Sequence, residues 1–308
     1  MSIKKSSLES IPFSYATPSL GAPTDALPQK LAAISSAGFT GIELGFPDLV
    51  SFASKHLNRD VRENDYASLC EAGTEVKKLC EKHKLKVMML QPFANFEGWP
   101  EGSKERDDAF DRAKGWIEIM KAVGTDMLQV GSSDSPTITS SKEALASDLA
   151  QLADLLAPHS FRLAYENWCW ATHAPTWASV WSIVQLANRP NIGLCLDTFQ
   201  TVCGEYGDPT TASTLIADRG FQEKLTMNLT ASLRDLKDNV PAEKIYVLQL
   251  SDAYRPPAPF KADGENGEAN EEGPDGSRIR ARSKWSHDFR PYLYNEGYFT
   301  EQCVDMCK

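Results

Sequence analysis

No stretch of this chain approaches the roughly 18 uninterrupted apolar residues that a membrane-crossing helix needs. The opening MSIKKSSLES carries two lysines with no apolar run behind them, so neither a membrane span nor a secretory leader is expected. There is no C-x-x-C pair. The seven cysteines (Cys70, Cys80, Cys169, Cys195, Cys203, Cys303, Cys307) are an odd and scattered set. That pattern argues for reduced thiols in a cytoplasmic protein over a disulfide framework or a structural zinc site. Cys195, inside an apolar run, reads as a small core residue. Positive charge is also short, with 32 Lys and Arg against 42 Asp and Glu for a net charge of −10. Such a surface repels phosphate backbones and anionic bilayers, so no nucleic-acid or membrane partner is expected. The first strand is not followed by G-x-G-x-x-G, and no P-loop occurs, which disfavours a nucleotide-binding doubly wound sheet.

What the chain does have is alternation. Seven apolar β-type runs lie at 12–17 (PFSYAT), 41–45 (GIELG), 86–91 (KVMMLQ), 127–132 (MLQVGS), 161–168 (FRLAYENW), 192–199 (IGLCLDTF) and 245–253 (IYVLQLSDA). Segments with helical spacing separate them, such as Leu27, Leu31 and Ile34 before Gly38, and Ala109, Ala113, Trp116 and Met120 before Gly124. Glycine just past the last turn is a usual helix stop, because the left-handed conformation costs it no Cβ clash. Continuous apolar strands joined by helices imply a parallel sheet buried on both faces. The pattern predicts one α/β domain over 1–308, a (β/α)₈ barrel whose eighth strand is absent or truncated. A long polar, mobile loop is expected over 255–280. The gap between strands seven and one then leaves unpaired edges. The C-terminal helix or a partner subunit is expected to cover them, which leaves room for a homo-oligomer.

Three of the runs end in a polar side chain: Glu166 in LAYENW, Asp197 in LCLDTFQ and Gln249 in YVLQLSD. Catalytic groups of barrel enzymes collect at the carboxyl ends of the strands, so these three oxygen donors are expected to converge on one hard divalent cation. Oxygen-only coordination favours Mg²⁺ or Mn²⁺ over Zn²⁺, with Co²⁺ a further option. Any one such acid could instead cap the following helix or pair with a cation. The segment ENWCWATHAPTW after Glu166 adds Trp170, a candidate substrate wall or loop-packing residue, and His173. The histidine is a candidate general base because its ordinary pKa lies near working pH.

The motifs ENWCWATHAPTW, RPNIGLCLDTFQ with GEYGDP, YVLQLSDA, GIELGFPDL and LQPFANFEGW together resemble the fungal 3-dehydroshikimate dehydratases of the xylose-isomerase-like TIM-barrel superfamily of sugar isomerases and epimerases. The resemblance runs from about residue 12 to residue 300. It implies a lyase of quinate and shikimate catabolism acting on a small hydroxylated cyclic or sugar-like molecule, with the ion held by Glu166, Asp197 and Gln249. The superfamily's fourth ligand, a glutamate on strand eight, has no counterpart here. The resemblance also nominates Arg282, in ARSKWSHDFR, as the grip on a substrate carboxylate, with its planar fork suited to two-point contact. Glu43, at the end of the second run, and Gln91 and Phe93, after the third, are expected to line the substrate. Gln200 stands where bacterial relatives have histidine, and DALPQKL and His287 also depart from the family pattern. A sugar isomerase or epimerase, with Glu166 as a catalytic carboxylate paired across the ion with the missing strand-eight glutamate, and a binding homologue without turnover are the alternatives.

Overall fold

The structure is a computed structural model that describes residues 11–216, 222–274 and 276–308; the decapeptide MSIKKSSLES lies outside them. Each of the seven apolar runs contains one strand: β1 (Ser14–Ala16), β2 (Gly41–Gly45), β3 (Lys86–Phe93), β4 (Met127–Gly131), β5 (Arg162–Glu166), β6 (Ile192–Asp197) and β7 (Ile245–Gln249). They form one parallel sheet in chain order. Between them run α1 (Leu27–Ser36), α2 (Phe46–His56), α3 (Tyr66–Lys82), α4 (Lys104–Val123), α5 (Lys142–Leu156), α6 (Trp177–Ala187), α7 (Thr198–Glu205) and α8 (Gln222–Asn239), followed after β7 by α9 (Ala281–Asp288) and α10 (Thr300–Met306).

Side-chain alternation along the strands sorts the sheet into two faces. Ile42, Leu44, Leu90, Leu128, Val130, Leu163, Leu194 and Leu196 point outward into the helix layer and share its core. Each such burial contributes about 1.5–3 kcal/mol. Met89, Met127, Ala164 and Cys195 face the lumen and form a small separate cluster that serves as its floor. Above that floor, at the carboxyl ends, the same inward parity delivers Glu43, Gln129, Glu166, Asp197 and Gln249. Both expected glycine stops hold: Gly38 and Gly124 have φ of 87° and 78°. Ser103 and Ser141 start α4 and α5 by accepting hydrogen bonds from the Arg106 and Ala144 amides.

Strands β7 and β1 do not pair with each other. Where β2, β4 and β6 are buried throughout, β7 is half-exposed along its length, and Leu248 and Leu250 are each 42% accessible. Of the two expected covers, the C-terminal helix is corrected here, because α10 packs against α7 and α8, not across the seam. What crosses the mouth end of the seam is the segment 289–292. The Pro291 and Phe289 carbonyls accept hydrogen bonds from the Asp252 and Tyr254 amides, both at 2.8 Å. Tyr292 then reaches β1, its ring 5.3 Å from that of Tyr15 and its hydroxyl 3.4 Å from the Ser19 carbonyl. The spacing of the two backbone bonds makes this strap antiparallel to the chain leaving β7, so it is not an eighth barrel strand.

The polar segment 255–280 also departs from the expected mobile loop. It carries a 3₁₀ turn (Glu265–Gly267) and a short antiparallel pairing of Glu271–Glu272 with Arg278–Ile279. It is tied down by Phe260 N to Pro209 O at 2.9 Å and by Asp263 Oδ1, which accepts from Ala281 N at 3.0 Å. Scattered hydrogen bonds and the apolar anchor of Phe260 against the Phe289 ring hold it, contacts with partners outside the segment that its polar composition does not announce.

A second core lies under this end of the molecule. Trp285 is fully buried, 5.5 Å from Phe199 and 5.9 Å from Phe299, and its indole donates to the Tyr254 carbonyl at 2.8 Å. Trp285→Ala is expected to cost about 3–5 kcal/mol in urea unfolding at constant m-value; a loss under 1 kcal/mol would show that this cluster does not anchor the strap.

Candidate active site

The register of neighbouring strands sets which side chains meet. Asp197 lies directly opposite Gln249, and Glu166 lies opposite Cys195, two residues before Asp197. All share the inward face. Glu166, Asp197 and Gln249, taken from three adjacent strands, are therefore brought to one end of the lumen, with Glu43 arriving from β2.

Asp197 is fully buried and does two jobs. Its Oδ1 caps α7, accepting from the Phe199 and Gln200 amides at 2.7 and 3.2 Å. Its Oδ2 is paired with the guanidinium of Arg290. The ordinary fates of a strand-end acid, cap and ion pair, are both realised, and they hold the carboxylate in place at the mouth. Glu166 accepts from the Gln129 amide through Oε2. Burial, reinforced by the Asp197 charge, raises its pKa well above the usual carboxylate range. Glu43 accepts from Gln249 Nε2 at 2.8 Å, Ser14 Oγ at 3.1 Å and Gln91 Nε2 at 3.4 Å, yet burial still raises its pKa.

Arg290 is the cation of this group. Its Nε donates to Ser251 Oγ at 2.8 Å and one terminal nitrogen to Ser286 Oγ at 3.3 Å, and it lies 5.2 Å from the centre of the Phe199 ring. Burial works against its charge, but Asp197 and Glu166 hold it protonated. Three buried carboxylates thus face one guanidinium, so full ionisation leaves two negative charges in excess. Proteins do not bury such an excess without a counter-charge.

That imbalance suits a divalent cation, and so does the donor chemistry. Among the described residues no three His, Cys, Asp or Glu side chains stand arranged to hold a metal, so the amide of Gln249 is needed to complete the set with Glu166 and Asp197. Gln129 Oε1, buried beside Glu166, has no hydrogen-bond partner and is a further spare oxygen acceptor. These are hard oxygen donors throughout.

The other expected residues are placed as follows. Gln91 reaches the cluster through Glu43. Phe93 is fully buried against Phe96 and Trp116, and so belongs to the helix-facing core. Trp170 is buried and stacks on Trp168 at 5.1 Å. Trp168 in turn covers the end of β4 so closely that a Cβ on Gly131 would fall 2.1 Å from its indole, which requires glycine there. His173 is half-buried in the β5–α6 loop, with Nε2 3.3 Å from the Ile138 carbonyl and not on the carboxylate cluster. Arg282 is committed elsewhere: Nε and one terminal nitrogen donate to the Cys203 and Gly207 carbonyls at 3.1 and 2.9 Å, so its fork clamps the C-terminal end of α7. Arg280 is spent likewise, on the Trp170 and Asp134 carbonyls and Thr172. Gln200 accepts from the Cys169 amide at 2.9 Å and so supports the β5–α6 loop.

Sequence reading missed Gln129 and Arg290. Gln129, in the run MLQVG, bears the same mark as Gln249, a polar side chain inside a buried strand, and could have been found by it. Arg290 stands 93 residues from Asp197 in no periodic segment, and nothing local announces it.

A sequence model of the xylose isomerase-like TIM barrel family matches residues 31–280. The chain is 32% identical over 237 residues to a 3-dehydroshikimate dehydratase of Neurospora crassa, an alignment covering 74% of this chain and 64% of that protein. Among solved structures, a xylose isomerase-like TIM barrel/4-hydroxyphenylpyruvate dioxygenase fusion protein superposes with a TM-score of 0.62 at 26% identity, over 90% of this chain and 33% of the other. The IolI protein, crystallised with a bound zinc atom, shares the fold at a TM-score of 0.56 and 18% identity, over 81% of this chain and 76% of that one. With its seven parallel strands in chain order and its polar groups gathered at their carboxyl ends, the chain belongs to the xylose isomerase-like TIM barrel family.

Proposed function

We propose that this chain is a divalent-cation-dependent hydro-lyase that converts 3-dehydroshikimate to protocatechuate. The observation that carries the reading is the convergence of Glu166, Asp197 and Gln249 from three adjacent strands, in a chain 32% identical to a 3-dehydroshikimate dehydratase. Because 64% of that relative's length is covered, the activity is a proposal for the whole protein. Mg²⁺ and Mn²⁺ suit the oxygen donors best.

Glu166, Asp197 and Gln249 would hold the ion. When bound, it supplies the concentrated positive charge that a developing enolate needs. The remaining work falls to this chain's own groups. Removing the proton α to the ketone requires a base, and we assign His173. A carbonyl can only accept, so Nε2 carries the hydrogen of the bond to Ile138, and Nδ1 is the nitrogen that would take the substrate proton. Departure of the β-hydroxyl as water and tautomerisation then give the aromatic product. Glu43, bonded to Gln249, and Gln91 offer further hydrogen-bonding groups, and the stacked Trp168 and Trp170 would supply an apolar wall at the β4 and β5 ends.

With 3-dehydroshikimate and saturating Mn²⁺, protocatechuate absorbance should appear and vanish on chelation; its absence under saturating ion would end the proposal, and turnover of a ketose instead would assign the chain to the sugar isomerases. His173→Gln should lower kcat by about 10²–10⁴-fold while leaving Mn²⁺ affinity unchanged; an unchanged kcat would remove it as the base. Glu166→Gln should weaken calorimetric Mn²⁺ binding by about 10-fold or more and lower kcat/KM with it.

A further inference from the structure

Arg290 is not an element of the sheet. It is carried by the strap at 289–292, which the Asp252 and Tyr254 amides and Tyr292 fasten across the β7–β1 seam. From there its guanidinium enters the mouth, fixed by Ser251 and Ser286, and takes Asp197 Oδ2. The other oxygen of Asp197 is already committed to the amides at the start of α7. A cation reaching Asp197 therefore meets a carboxylate whose remaining oxygen is already paired with a positive charge. The Arg290 side chain is 27% accessible, whereas Asp197 is fully enclosed, so the arginine is the partner with room to yield.

We propose that Arg290 and the divalent cation compete for Asp197, so that Arg290 is the positioning residue that sets how tightly this site holds its ion. The proposal rests on the ion reading above. It goes further in assigning to a residue outside the barrel strands a resident counter-charge that keeps Asp197 oriented without the metal and repels the metal as it arrives. Reciprocity follows: whatever Arg290 costs the ion in affinity, the bound ion costs Arg290 in its hold on Asp197. Loosening the grip on Arg290 should tighten the ion. The opposite is expected if Arg290 merely supports the ligand, because then its loss would leave Asp197 less well placed.

Mn²⁺ titration by calorimetry on the full chain tests this with Arg290→Met and, as a milder variant that keeps every charge, Ser251→Ala, which removes the acceptor of the Nε bond. Competition predicts about tenfold or greater tightening of Mn²⁺ in Arg290→Met, since a like charge is removed from the ion's neighbourhood, with the gain shrinking as salt is raised. Ser251→Ala should tighten Mn²⁺ by a few-fold, and it retains the test should Arg290→Met fail to fold. Equal or weaker Mn²⁺ binding in the folded variants overturns the competition and leaves the ion reading standing. No Mn²⁺ binding by wild type together with binding by Arg290→Met supports it in its strongest form. No binding by any of the three at millimolar ion overturns both.

Discussion

Everything at the mouth of this barrel answers to one constraint: buried negative charge must be neutralised or suppressed. Glu43, Glu166 and Asp197 are delivered to the same end of the lumen by strand parity, and among the described residues Arg290 is the cation paired with them. The molecule meets the constraint in several ways at once. Asp197 is given a helix start and a guanidinium, Glu43 is given three donors, and Glu166 is given the Gln129 amide and otherwise resists ionisation. What remains is a group of carboxylates whose full ionisation calls for positive charge beyond Arg290, which is the basis of the proposed cation site.

The open seam is the second organising feature. A closed barrel buries every strand on both sides, but here β7 keeps an accessible edge, with Leu248 and Leu250 in contact with solvent. The strap answers this at the mouth end only. In doing so it brings Arg290 into the site, which couples the closure of the barrel to its chemistry. The second core around Phe199, Trp285 and Phe299 gives the strap a rigid base, because α7, capped by Asp197, supplies one of those rings. Structural and chemical duties thus meet in Asp197.

Much of this could be read from residue order. Strands with continuous apolar character, such as GIELG and IGLCLD, announced burial on both faces, and each proved to be a strand of the parallel sheet. Gly38 and Gly124 marked helix ends because a left-handed residue without a Cβ is a local requirement. Polar residues closing apolar runs, Glu166, Asp197 and Gln249, were legible because inward parity at a strand end is also local. Where sequence reading went astray, the governing forces were nonlocal. The polar segment 255–280 is tied to distant loops through Phe260 to Pro209 and Arg280 to Trp170 and Asp134, and the fork of Arg282 found carbonyls 79 and 75 residues away.

By itself, then, the sequence determined periodicity, strand count, helix ends and the chemical nature of the strand-end groups, because each depends on neighbours along the chain. Tertiary structure alone decided which arginine faces the carboxylates, what crosses the seam, and where the Glu166 carboxyl finds its amide partner. Those outcomes depend on through-space charge and on closure of the chain over long separations, and no local pattern encodes them: Arg290 meets Asp197 across 93 residues, and Gln249 meets Glu43 across 206.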